Sequence, residues 1–559
     1  MGGEAAILVS GVHKGFALPR THASTLKERA LRPFDREPAQ RLEVLRGIDL
    51  EVGRGEFFGI TGRNGSGKST LLKLIAGVYA PDRGEIAVAG RLAPFIDLGV
   101  GFHPELPARE NVILNAVLMG LSEDEARARC EGIVEYAGLA RFGAMKLRNY
   151  SSGMRVRLGF AVLVHSDARV LLLDEVLSVG DAAFQRQCER AFEELIAQGR
   201  TIVLVTHSMS RIERFCKRAL VLEAGLINAI GSPDLIADRY RELSVASSEV
   251  GPRGSSPGPP AIAPASPPIS PATVPPLPDT ELVAGGLTTV RGPQMVGNDL
   301  GRFWRMLKLM ARTEFNIRYH GTVAGYAWTL ITPLLIFGIL YLVFTRIIRF
   351  GGSVESYPAV LLLDVMLFRF FTEATQGSVS SLVQREALVR KTQLPRLAVP
   401  MAVVVTAAIG LALNLIVVVG YLLSYGIEPR LTWLLLPVLV AALIVFTTAV
   451  SALLSALFVR FRDTAQIWSV ATTALLYLTP VMFPIEVAPG GIRHALLFNP
   501  LAPILELGRV WVIDPNAPGP IEAAGSWIGI AGPAIVFVAI CVLSYRIFSR
   551  ETARAAEDL

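Results

Sequence analysis

Every long uncharged apolar run in this 559-residue chain lies beyond residue 320. A helix needs about 20 such residues to cross the hydrocarbon of a bilayer. The second half of the chain is therefore expected in a membrane and the first half in water. Six spans are expected, at 324–345, 357–375, 401–424, 433–457, 465–483 and 526–547. The fifth is short and runs into Pro480 and Pro484, so a break is expected there. The Pro- and Gly-rich stretch 484–524 suits re-entrant helices on the outer side.

An even number of spans leaves both ends of the apolar half on one face. Lys and Arg choose that face, because they concentrate in cytoplasmic loops. Fourteen of them, from Arg302 to Arg554, fall to the side expected in the cytosol. Five (Arg346, Arg349, Arg430, Arg493 and Arg509) fall outside. The N-terminal MGGEAAILVS has no basic-then-apolar leader, so the first half is expected to stay in the cytosol with both termini. The net charge of +6 is read as these loop cations, since no nucleic-acid motif accompanies it. The four cysteines, Cys130, Cys188, Cys216 and Cys541, are far apart, with no CxxC pair. They imply neither a disulfide framework nor a zinc site.

Three zones follow. Residues 1–245 alternate short β-branched runs (VLLLDE, IVLVTH) with amphipathic stretches, the pattern of an α/β domain. Residues 246–298 form a linker with eleven of the 35 prolines between Pro252 and Pro278, expected to be extended and disordered. Residues 299–559 hold the spans, and 299–318 reads either as an amphipathic basic helix on the membrane surface or as an ordinary positive flank.

The sequence GRNGSGKST, 62–70, follows the apolar run FFGI and precedes the helix-like LLKLIAG. That context makes it a phosphate-binding P-loop. Gly62, Gly65 and Gly67, with Asn64, Ser66 and Thr70, leave backbone N–H groups free to wrap phosphates at a helix N-terminus. Lys68 is expected to reach the β- and γ-phosphates of ATP, and Ser69 to ligate Mg²⁺. In VLLLDE, 170–175, four apolar residues make a buried strand that ends in two carboxylates. Asp174 is the expected second Mg²⁺ residue, and Glu175 the base that takes a proton from attacking water.

The stretch YSSGMRVRLGFA, 150–161, resembles the signature motif of ABC transporter ATPases, with SSGM where that family usually has SGGQ. The resemblance implies that Ser151, Ser152 and Gly153 complete the ATP site of a second subunit. It also implies a D-loop at 178–181, a switch histidine at His207 after Thr206, and Phe16 as the aromatic that stacks on adenine. The glutamine expected shortly before Pro104 is missing. Either Asp97 or His103 replaces it, or the loop serves only to couple domains.

SSGM, the LGVGFHPEL–ARENV stretch and SVGDAAFQ together resemble the ATPases of bacterial polysaccharide exporters. So does a basic insert at 19–41, which lies either near the inner leaflet or as a solvated charged face. IRYHGTVAGYAWTLITPLL (317–335), LVRKTQLPRLAVP (388–400), VRFRDTAQI (459–467), LTPVMFP (478–484) and FNPLAPILELGR (498–509) resemble the ABC-2 type membrane half of the same group. The fold implied is an α/β P-loop ABC ATPase domain joined to an all-α six-helix ABC-2 type membrane domain. The function implied is ATP-driven export of a lipid-linked polysaccharide, with undecaprenyl diphosphate as the carrier, across a bacterial inner membrane. The alternatives are an ABC-2 type exporter of drugs or lipids and a membrane-tethered ATPase that transports nothing. The implied partners are a second copy of the chain, the glycan substrate and membrane lipids, without nucleic acid. Residues 378–396 are the implied coupling segment.

For the substrate path, Trp328, Tyr341, Phe368, Phe370, Phe371 and Tyr477 are either sugar-stacking or packing residues. Asp364 and Arg369 in the second span either face a cavity or mark a shifted boundary, with Arg369 pairing Glu373 one turn on. Lys308, Arg312 and Arg318 are candidates for a diphosphate headgroup.

Overall fold

The computed structural model describes residues 4–18, 40–96, 101–174, 182–248, 286–290, 292, 295–296, 299–319, 323–347, 356–391, 394–483, 485 and 488–558. These fall into two units.

The first unit holds two sheets. The strands Phe57–Gly62 (β3), Val170–Asp174 (β6) and Thr201–Val205 (β7) are almost wholly buried apolar runs. That is how strands read when both faces of a parallel sheet are covered. They join Leu92–Phe95 (β5), Arg218–Glu223 (β8) and Leu226–Gly231 (β9) in the order β5-β6-β7-β3-β8-β9. All neighbours are parallel except β8 and β9. The carboxyl ends of β3, β7 and β6 therefore share one edge, where α/β sheets bind ligands.

The second sheet packs Ala5–Leu18 (β1) between Gln40–Gly53 (β2) and Arg83–Ala89 (β4), all antiparallel. Its far edge corrects the linker expectation. Leu287–Thr289 (β10) pairs antiparallel with β4, and the Val290 amide donates to the Ile86 carbonyl at 2.7 Å. The linker prolines stop at Pro278 until Pro293, and LTTV is β-branched, so this part of the segment can donate to a sheet edge. At the other end, the helix Pro233–Ser248 runs past residue 245. The insert at 19–41 lies outside the described residues, apart from its last two positions in β2.

The second unit is helical. Leu300–Tyr319 is amphipathic: Phe303, Met306, Leu307 and Met310 are buried at helical spacing, while Leu300 and Trp304 are exposed. The helix Tyr357–Val379 lies at the centre of this unit's core, buried along nearly its whole length. Its top is fixed by the Tyr357 hydroxyl, which donates to the Met482 carbonyl at 2.6 Å. Gln376 donates to Thr472, and the Trp468 indole to Thr375, at 2.8 and 3.0 Å.

Among the described residues, four helices are long and apolar enough to cross a membrane: Ala327–Ile347, Ala398–Ser424, Leu431–Arg460 and Gly529–Glu551. The number rises to five if the pair Gly491–Leu497 and Leu501–Ile513, bent by 97°, is counted as one span. Four of the six expected spans are among these helices, and the second and fifth are not. Tyr357–Val379 forms as a 23-residue helix, but Asp364, Arg369 and Glu373 make it too polar to qualify. The fifth expected span is only the 15-residue helix Thr464–Leu478. The bent pair stands where re-entrant helices are expected.

Candidate functional site

The P-loop helix Lys68–Ile75 follows β3 across the loop 63–67. Its N-terminus has no side-chain cap, so its first amides remain available to an anion. Gly62 has φ 149°, and a Cβ there would lie 2.1 Å from the Leu222 carbonyl oxygen. Gly67 has φ 105°, and a Cβ there would lie 2.7 Å from the Leu45 side chain. Both glycines are demanded by the turn itself. Lys68 is 7% exposed, and its ammonium donates to the carbonyls of Gly62 and Arg63 at 2.9 and 2.8 Å. It is thus curled onto the loop it is expected to close over phosphate. Asn64, Gly65 and Ser69 are exposed, Thr70 is half-buried, and Ser66 is buried.

Ser69 and Asp174 meet as the spacing implied, Oγ to Oδ2 at 3.0 Å, although 105 residues separate them. The parallel strands β3 and β6, on either side of β7, bring the two ends to one edge of the sheet. A hydroxyl and a carboxylate converging beside a phosphate cradle are the hard oxygen donors Mg²⁺ takes, so these residues fit that ion. Thr206 and His207 follow β7, which lies between β3 and β6. The Thr206 hydroxyl accepts from the Ser208 amide at 3.1 Å, shaping the turn, and His207 is half-buried. Glu175 and residues 178–181 lie outside the described residues, as does Asp97. His103 is present: its amide donates to Asn111 Oδ1 at 2.6 Å and its Nδ1 accepts from the Glu105 amide at 3.3 Å.

Phe16, on β1, is half-buried, and the edge of one ring meets the face of another at Tyr79, 5.4 Å between centroids. Tyr79 follows the P-loop helix, and Lys14 and Lys73 also lie within 6 Å of its ring. The contact of Tyr79 with Phe16 is not visible in the sequence, because the fold alone brings β1 beside that helix.

Ser151 caps the helix Ser152–Val164, its hydroxyl accepting from the Met154 amide at 3.2 Å. Ser151 and Ser152 are exposed. A Cβ on Gly153 would meet nothing closer than Ser151 Oγ at 4.0 Å. Unlike Gly62 and Gly67, this glycine is not required by packing within the chain.

Burial pushes the Cys130 thiol up to about 11 and the Cys216 thiol up to about 12. They are inert core residues, and no cluster of three or more His, Cys, Asp or Glu side chains able to hold a metal ion occurs among the described residues.

Two family models match the chain: "ABC transporter" over residues 45–178 and "ABC-2 type transporter" over 305–512. The O-antigen export system ATP-binding protein RfbB of Klebsiella pneumoniae is 39% identical over 242 residues, 43% of this chain and 98% of that protein. This chain is an ABC transporter. Its ATPase and ABC-2 type membrane domains share one polypeptide, and ATP hydrolysis is coupled to transport. The transporter is also 42% identical to the ABC transporter protein AbcA of Aeromonas salmonicida over 240 residues, 43% of this chain and 77% of that one. It is 40% identical to the RfbB protein of Myxococcus xanthus over 251 residues, 44% of this chain, but spans only 57% of that protein's length.

In the transporter's membrane domain, Phe368, Phe370 and Phe371 are buried. Phe371 packs on Phe446 and Trp468 at 5.9 and 6.2 Å, so here the packing reading holds. Trp328, Tyr341 and Tyr477 are exposed. Glu373 does not pair with Arg369: its carboxylate binds Arg318 of the surface helix at 2.6 Å. Arg509, placed outside by the loop count, is 4% exposed and pairs with Glu506 at 3.7 Å. It sits on a helical turn folded into the domain, where charge counting cannot see it. Asp364 is buried, and its Oδ1 has no hydrogen-bond partner among the described residues. Arg385 pairs with Glu314 of the surface helix.

Proposed function

We propose that this ABC transporter exports a lipid-linked polysaccharide, carried on undecaprenyl diphosphate, across the bacterial inner membrane. The observation that carries this reading is the pairing of an ABC-2 type domain with relatives named for O-antigen and teichoic acid export. The working unit is a homodimer, with the ATPase domains and both termini in the cytosol. The exposed Ser151 and Ser152, and the open space over Gly153, support a second copy at the signature loop. So does the first span, Ala327–Ile347, of which only 6% is buried.

ATP is held by the amides of 62–70, with Phe16 against its base. Lys68 exchanges the Gly62 and Arg63 carbonyls for the β- and γ-phosphates. Ser69 and Asp174 hold Mg²⁺, which neutralises charge on the phosphate oxygens when bound. Glu175 takes the proton of the attacking water, and His207 contacts the γ-phosphate. Ser151, Ser152 and Gly153 of the second copy close the site, and the segment 378–396 passes this closure to the membrane domain.

ATPase activity of the full chain in lipid nanodiscs tests the substrate class. Stimulation by lipid-linked glycan and not by hydrophobic drugs is expected. Stimulation by drugs alone would replace this reading with an exporter of drugs or lipids.

A further inference from the structure

Arg369 interrupts the apolar run VMLFRFF of the central helix, Tyr357–Val379, between Asp364 and Glu373. A charge at such depth is costly and needs an anion or a polar cavity. Its obvious counter-ion, Glu373 one turn away, is occupied by Arg318 at 2.6 Å. Arg369 has no ion-pair partner among the described residues and lines a shallow, open cleft between Ala398–Ser424, Tyr357–Val379 and the first span, with Glu373 on the same wall, held by Arg318. Asn414 lines the same cleft. It is 8% exposed, its amide NH₂ donates to the Gly410 carbonyl at 2.9 Å, and its oxygen has no hydrogen-bond partner among the described residues. The cleft thus offers a guanidinium that wants an oxyanion and an amide oxygen that wants a donor.

Depth narrows the ligand. Arg318 belongs to the amphipathic helix Leu300–Tyr319, so its pair with Glu373 marks the membrane surface on that side. Arg369 lies four residues further in, roughly 6 Å at 1.5 Å per residue. That is within reach of a lipid phosphate, and too shallow for a ligand confined to the bilayer centre.

We propose that Arg369 and Asn414 form a binding site for the phosphate of a membrane lipid, with a neighbouring hydroxyl donating to Asn414. Two sources carry this chemistry: the diphosphate of the lipid-linked substrate, and a resident anionic phospholipid such as phosphatidylglycerol. Only the first rests on the export reading.

Native mass spectrometry of the full-length protein in detergent tests the site, with undecaprenyl diphosphate and phosphatidylglycerol as probes and diacylglycerol as the phosphate-free control. Arg369→Gln is expected to lower occupancy by at least one phosphate probe about tenfold, the scale of one charge-assisted hydrogen bond. Arg369→Lys restores most of the binding, and Asn414→Leu weakens it less. Loss confined to undecaprenyl diphosphate marks a substrate site, and loss confined to phosphatidylglycerol marks a resident-lipid site. Loss of both marks one site open to either. Unchanged occupancy by both probes in Arg369→Gln would overturn the proposal. So would a Lys variant that binds no better than the Gln variant. Because the readout is binding, failure here leaves the export reading intact.

Discussion

The two halves of this transporter place polar groups by opposite means. In the ATPase unit they stand at strand ends and helix starts, where the backbone itself supplies the donors and glycines leave room for phosphate. In the membrane unit, polar side chains are set into helices whose backbones are already satisfied, and each needs a partner from another helix. Arg318 with Glu373 and Arg385 with Glu314 show this. The first kind of site is written locally in sequence; the second exists only after packing.

The largest expected effect comes from the P-loop. Lys68→Ala removes the ammonium now held by the Gly62 and Arg63 carbonyls and proposed to bind phosphate, and should abolish ATP hydrolysis in a purified-protein assay. Retained turnover would break the contrast at its strongest point.

Glycines sharpen it next. Gly62→Ala drives a methyl to 2.1 Å from the Leu222 carbonyl oxygen, at a φ that L residues rarely adopt. It should lower stability as well as activity. Gly153→Ala meets open space in the first turn of a helix, so stability should hold or rise by up to about 1 kcal/mol. Activity should fall nonetheless, because in the proposed homodimer that space takes the second copy's nucleotide. A thermal melt beside an ATPase assay separates the two glycines.

In the membrane unit, Glu373→Gln removes the partner of Arg318 and should destabilise the docking of Leu300–Tyr319. Arg369→Gln removes a cation with no ion-pair partner among the described residues and should leave the melt unchanged. Comparable melts for both variants would place Arg369 in a structural pair after all.

The smallest effect is a pH dependence. Burial, aided by Arg129 and Arg200, holds the His165 imidazole below its ordinary range. Above about pH 6.5 it is neutral in folded and unfolded chains alike, and it contributes nothing to the pH dependence. As pH falls below that value, the unfolded chain takes up the proton first, so stability declines with acid. The reaction of Cys130, Cys188 and Cys216 with a thiol probe during melting reports this. All three are buried in the ATPase unit.

Legibility in the sequence follows the same division. The P-loop spacing marks Gly62 and Gly67 as loop glycines and VLLLDE marks Asp174 as a strand-end carboxylate, while their positive φ values and the contact with Ser69 come from the fold. Tyr79 beside Phe16 is not foretold, because nothing local links β1 to the end of the P-loop helix. In the membrane unit, the apolar run at 357–375 foretells the helix Tyr357–Val379 but not its cover. That helix is covered by protein and can carry Asp364, Arg369 and Glu373. Arg509 has Glu506 three residues earlier in plain view, yet only the fold buries the pair. The strand at Leu287–Thr289 is hidden by the prolines before it.

The central claim, that this motor drives glycan export, is tested most directly by Glu175→Gln as the only copy in the native host. Surface polysaccharide and inner-membrane lipid-linked glycan would be measured together. Loss of surface glycan with lipid-linked glycan trapped inside is the predicted result. Normal surface glycan in that strain would contradict the claim.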